Sequence, residues 1–195
     1  MDGFKNIEIK NFRGIDHLKI DDFSRVNIFL GQNNSGKTSI LECFLLMMGM
    51  SNPDLPQALN KLRSRNNYVG VSDARYIFNN LVLSRLPEIS AELSDNAKRY
   101  LKLGLSYVFN DKEASADQNG PLPVTDTMGL INTLEMLFDL TEGEETRNYR
   151  SSLTFNQAGT ITGRELAKGY IEKQFVSLIT ADLLVGSLVN DLSEL

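Results

Sequence analysis

Ten residues, GQNNSGKTSI at 31–40, set the strongest limit on what this chain can fold into. Gly31, Gly36, Lys37 and Thr38 satisfy the spacing G-x-x-x-x-G-K-[ST] without deviation. A loop of this kind is delivered by a strand and runs into the first turn of a helix. The flanking sequence predicts both. VNIFL at 26–30 is a continuous apolar run between turn residues, the pattern of a strand buried on both faces. TSILECFLLMM predicts a helix that ends at Gly49, with Pro53 and Pro56 beyond it.

The chemistry of such a loop follows from its residue types. Glycines let the backbone wrap an oxyanion without side-chain interference, so that successive N–H groups turn inward. The helix that follows adds its positive end and its unpaired N–H groups. Lys37 is placed to bridge the β- and γ-phosphates of a nucleotide, and the Thr38 hydroxyl to ligate magnesium. The candidate nucleotide-binding residues are therefore Gly31, Gln32, Asn33, Asn34, Ser35, Gly36, Lys37, Thr38 and Ser39, with Thr38 as the metal ligand.

Composition narrows the setting. With 195 residues, 42% of them hydrophobic, the chain is long enough for one domain with a real core and too short for two large ones. A formal net charge of −5 argues against a uniformly basic nucleic-acid-binding surface. A single cysteine and no signal-like amino terminus predict a reducing cytoplasm. The longest apolar segment, 40–50, is too short to span a bilayer and carries Glu42, so no membrane partner is expected.

Elsewhere the period of the apolar residues decides the reading. KNIEIKNF at 5–12 and HLKI at 17–20 alternate as half-buried strands, broken by Arg13-Gly14. From 54 to 85 the pattern predicts helical pieces, with Asp73 as a cap. EISAEL at 88–93 and KRYLKLGLSYVF at 98–109 predict an antiparallel hairpin across SDNA. Residues 111–129 read as an exposed, mobile loop. INTLEMLFDLT and YRSSLTFNQ then alternate around the acidic turn EGEETRN, and short strand-like runs follow in TIT and in GYIEKQFVSLIT. DLLVGSLVNDLSEL at its end predicts the start of a helix.

The pairing of IEIKNFRGIDHLKID with FLGQNNSGKTSILE resembles the amino-terminal lobe of ABC-type ATPases of the SMC/RecF/OLD group, especially the bacterial AAA-family ATPases related to OLD proteins and abortive-infection systems. The strand-NFRG, the asparagine-bearing loop and the ILE that continues the helix carry the resemblance. It implies an α/β fold: a phosphate-loop lobe with a mixed sheet around the loop's helix, plus an antiparallel β subdomain, together an incomplete ABC-type head. It implies a single lobe over 1–195, divided into a core at 1–87, a β-rich part at 88–180 and, at 183–195, a helix leading to an absent carboxy-terminal half. ATP and magnesium are the implied cofactors, and Arg13 is an implied ribose or phosphate contact. Asn33 and Asn34 match the family's loop positions, while Glu42, behind the lysine, reads as structural. A homodimer of the full-length protein is implied, with nucleic acid or an effector protein as further partners and phage defence or DNA transactions as the setting.

The same family needs a glutamine loop, a serine-led signature, an hhhhDE segment and a switch histidine. Gln118, Gln157 and Gln174 are glutamine-loop candidates. MLFD at 136–139 and SLITAD at 177–182 end on aspartate but are followed by Leu140 and Leu183, so neither supplies the glutamate. No serine-led signature is present, and the one histidine, His17, precedes the loop, where it reads as an exposed strand residue. No catalytic residue is assigned. The expectation is an ATPase when full-length and an inactive chain when alone.

The alternative from another class is a non-hydrolysing, nucleotide-sensing module that binds a protein or nucleic acid. Lys61, Arg63 and Arg65 in NKLRSR form a basic cluster that reads as a solvated helix face, or as a contact for a phosphate backbone. A GTPase reading fails: DTMG at 126–129 lies far from the loop, and Asn60-Lys61 is followed by Leu62-Arg63 rather than x-Asp. Cys43, among Leu41, Phe44 and Leu45, reads as a packed core thiol.

Overall fold

The structure, a computed structural model, describes residues 3–63, 71–107, 131–156 and 159–168. Seven strands, β1 (Phe4–Phe12), β2 (Ile15–Ile20), β3 (Glu88–Leu93), β4 (Lys98–Tyr107), β5 (Ile131–Glu142), β6 (Glu145–Phe155) and β7 (Ile161–Glu165), form one sheet in the order β2-β1-β3-β4-β5-β6-β7. Every neighbouring pair is antiparallel. Two helices, α1 (Lys37–Met48) and α2 (Leu55–Arg63), and two 3-10 segments, Val71–Ile77 and Asn79–Leu81, complete the described part.

Register explains the sheet. Ile9 pairs with Ile89, Ile89 with Leu101, Leu101 with Phe138 and Leu134 with Leu153, so the apolar alternation of five strands falls on one face. That face is buried, and α1 covers part of it with Cys43, Leu46 and Met47. Arg99 on β4 ties the helix to the sheet by donating from Nη1 to the Met47 carbonyl at 3.0 Å. The two predicted hairpins are present, β3–β4 across 94–97 and β5–β6 across a tight Gly143-Glu144 turn. Gly143 has φ 63°, which a glycine adopts without steric cost.

Three expectations need correction. First, the sheet is antiparallel throughout its described strands rather than mixed: β1 pairs directly with β3, and a single apolar cluster runs from Ile7 through Leu46 to Phe155. Second, VNIFL is not a strand here. Val26, Ile28 and Leu30 are 75%, 77% and 88% exposed, and the segment pairs with no strand among the described residues. An apolar run encodes a demand for burial but not the partner that meets it. Third, the helical pieces expected between 54 and 85 include 3-10 turns at Val71–Ile77 and Asn79–Leu81, and Asp73 lies inside the first of these rather than capping it. Asn80 and Leu81 sit at φ 51° and 60°, in the left-handed region, where no α-helix can continue.

The loop at 111–129, the run at 169–180, the aspartate segment at 177–182 and the helix at 183–195 lie outside the described residues. Among those described, no helix is long and apolar enough to cross a membrane.

Candidate nucleotide-binding site

The loop at 31–36 turns back on itself before α1 begins. Ser35 N–H donates to the Gln32 carbonyl at 3.2 Å, and Asn34 and Gly36 on either side of Ser35 have φ 65° and 88°. Left-handed residues spaced in this way are what turn successive N–H groups toward one side and make a concave anion nest. Gly31 packs close to the turn, since a Cβ there would lie 2.7 Å from Ser35 Oγ and that hydroxyl would have to shift. Gly36 is the N-cap of α1 and has no side-chain cap, so the first-turn N–H groups are not consumed by a capping side chain.

Lys37 reaches back over this turn. Its ammonium donates to the Gly31 carbonyl at 2.8 Å, the Gln32 carbonyl at 2.7 Å and Ser35 Oγ at 3.3 Å. All three of its donors therefore lie within the loop, and an arriving phosphate would exchange for part of that set. Asn33, Asn34, Ser35, Gly36, Lys37, Thr38 and Ser39 line a cavity of about 360 Å³ together with Gly14 and Arg63. Gly31 and Gln32 do not line it but supply the carbonyls that hold the lysine.

A polyphosphate fits this arrangement: the cavity wall is polar, it opens at a helix amino terminus, and a lysine stands at its edge. Thr38 is exposed and can offer its hydroxyl to magnesium. Among the described residues no cluster of three His, Cys, Asp or Glu could hold a metal by itself. A magnesium ion here would share phosphate oxygens and water with Thr38.

Arg13 does not line the cavity, although its neighbour Gly14 does. Its side chain is 6% exposed, and Nε lies 2.6 Å from Glu42 Oε2 on α1. The backbone at Arg13 has φ 51°, fixed by its N–H on the Ile77 carbonyl at 2.8 Å and by Asn79 Nδ2 on its own carbonyl at 2.8 Å. Burial pushes the Arg13 guanidinium down from its ordinary range, Glu42 pulls it back up, and nearby Arg63 lowers it again. The Glu42 carboxylate also accepts a fork from Arg63, Nε on Oε1 at 2.6 Å and Nη2 on Oε2 at 3.0 Å.

Other sequence candidates are placed less usefully for chemistry. Asp139 lies within β5, accepts from Asn148 Nδ2 at 2.6 Å and borders a separate cavity with Glu92 and Tyr100. His17 is exposed on β2 with Nε2 2.8 Å from Glu8 Oε1, and this contact, followed by Lys10, lowers the Glu8 carboxyl. Asn60 is buried in α2, where it cannot read a base. Gln118, Gln157, Gln174, Arg65 and the DTMG segment lie outside the described residues. Sequence reasoning passed over Gly14 and Arg63 as parts of the cavity. Arg63 is 24 residues from Ser39, to which its Nη2 donates at 3.0 Å, and no local pattern encodes such a contact.

Comparison with known proteins agrees with the loop. The sequence matches the AAA ATPase domain over residues 4–174. It is 60% identical over 38 residues to the DNA replication and repair protein RecF of Lactococcus lactis subsp. cremoris, which is 20% of this chain and 11% of that protein. It is 31% identical over 74 residues to RecF of Clostridioides difficile, 37% of this chain and 20% of that one. An ATP/GTP phosphatase of Helicobacter pylori is 43% identical over 47 residues, 24% of this chain and 13% of that one. The matched stretches span between about a tenth and a fifth of these relatives' own lengths. The expected likeness to the SMC/RecF/OLD group is borne out, and with 171 of its 195 residues inside the match, the chain belongs to the AAA ATPase domain family.

Proposed function

We propose that this chain is the ATP-binding lobe of an ABC-type ATPase of the RecF and OLD kind. In this reading it holds MgATP on the loop at 31–39, and the glutamate and the signature serine for hydrolysis come from elsewhere in a longer protein. The observation that carries the reading is the loop itself: Lys37, Asn34, Gly36 and the start of α1 converge on one polar cavity. Two further observations support the need for a complementary half. Val26, Ile28 and Leu30, leading into the loop, are apolar and exposed. The same 38 matched residues are 20% of this chain but 11% of the RecF relative, which is therefore nearly twice as long. The RecF relatives, named for DNA replication and repair, favour a role in a DNA transaction.

Titration calorimetry with MgATP tests this reading. The expected result is saturable binding that Lys37→Ala removes. Equal affinity in the two proteins would refute it.

A further inference from the structure

We propose that Arg63 is a second phosphate-contacting cation of the loop site, held over the cavity by Glu42 and Ser39. The proposal rests on the nucleotide-binding reading above and extends it to a residue on a different helix.

The geometry begins with a charge imbalance. Glu42 is 4% exposed and lies between two guanidinium groups, with Arg13 on one side and Arg63 on the other. Among the described residues two cations share one buried carboxylate, so the cluster retains one positive charge. Arg13 Nη2 is buried with no hydrogen-bond partner, and Nη1 reaches the Tyr76 carbonyl only at 3.4 Å. Arg13 and Glu42 neutralise each other in the interior, so the surplus charge is left on partly exposed Arg63, open to an anion that balances it.

Arg63 is where an anion can do so. Arg13 is walled in, whereas the Arg63 side chain is 38% exposed and borders the same cavity as Lys37 and Thr38. Its Nε and Nη2 are committed to Glu42 and Ser39. Nη1, with two N–H donors, has no acceptor among the described residues. A guanidinium held on one edge by this fork at the border of the cavity is pre-ordered for a phosphate oxygen, because the cost of immobilising it is already met. Ser39 sits in the first turn of α1, so the anchor of Arg63 moves with the loop that carries Lys37. Lys37 and Arg63 thus approach one cavity from two different helices, a separation suited to gripping a chain of phosphates rather than a single one.

Calorimetry with MgATP and with AMP on the wild-type chain, Arg63→Gln, Arg63→Lys and Lys37→Ala tests the proposal. Arg63→Gln should weaken MgATP roughly tenfold while leaving AMP within about twofold, since one charge-assisted hydrogen bond is lost. Arg63→Lys keeps the charge but loses the fork, and should fall between wild type and Arg63→Gln. Thermal midpoints identify folded variants, and if Arg63→Gln does not fold, Arg63→Lys decides alone by whether MgATP weakens relative to AMP. MgATP affinity unchanged in the folded variants, with Lys37→Ala still defective, overturns the role of Arg63 and leaves the nucleotide site standing. Equal losses for MgATP and AMP show a purely structural role and also overturn it. If wild type binds neither nucleotide, both readings fall together.

Discussion

Glu42 Oε2 lies 2.6 Å from Arg13 Nε, joining the first helix to the end of the first strand through two side chains that are 5% and 6% exposed. The pair links α1, the helix that follows the phosphate loop, to the turn at 76–79, because Arg13 is also held by the Ile77 carbonyl and by Asn79. Removing the carboxylate leaves two guanidinium groups facing each other without a counterion. Glu42→Ala should therefore destabilise the chain by about 3–5 kcal/mol in urea unfolding. A loss below about 1 kcal/mol would show that the two arginines relax into solvent.

The exposed run before the loop makes the opposite expectation. Ile28 and Leu30 are largely solvated, so Ile28→Ser and Leu30→Ser should each leave stability within about 0.5 kcal/mol of wild type. A loss of about 2 kcal/mol or more would place this segment in a packed core.

Cys43 is fully buried, and burial, followed by the nearby Glu42 charge, pushes its thiol well above the ordinary range. A raised value means that the unfolded chain ionises first, so this contribution is whole below the ordinary thiol range and is lost as pH rises from there toward the folded value. Labelling by a disulfide-exchange reagent at pH 8 should be slower in the folded chain than in urea by about a hundredfold or more. Comparable rates would contradict the packing of α1.

Turnover is the prediction closest to function. Asp139 lies inside β5 and is followed by Leu140, so this segment brings no glutamate to the loop. ATP hydrolysis by this chain alone should not exceed that of Lys37→Ala in a phosphate-release assay. Turnover that disappears in Lys37→Ala would reveal a water-activating group within these residues.

Much of this architecture was legible in the sequence where periodicity is strict. The alternation of Ile89, Ala91 and Leu93 against Leu101 and Leu103 encodes both the hairpin and the face it buries. Gly36 and Gly49 punctuate α1 at both ends. What could not be read depends on partners remote in sequence. The pairing of β1 with β3 spans some 80 residues and joins the two expected parts in one sheet. Arg63, in a cluster that reads as a solvated face, is turned inward by a glutamate 21 residues earlier. The left-handed backbone at Arg13 is set by contacts to 77 and 79, not by its own residue type.

The most direct measurement is a nitrogen-15 NMR titration of the chain with MgATP, following backbone amides one by one. The expected result is that the largest shifts fall on Gln32 through Ser39, with Gly36 and Lys37 foremost, and vanish in Lys37→Ala. Shifts confined to the outer face of the sheet, or none at all along the loop, would contradict the assignment.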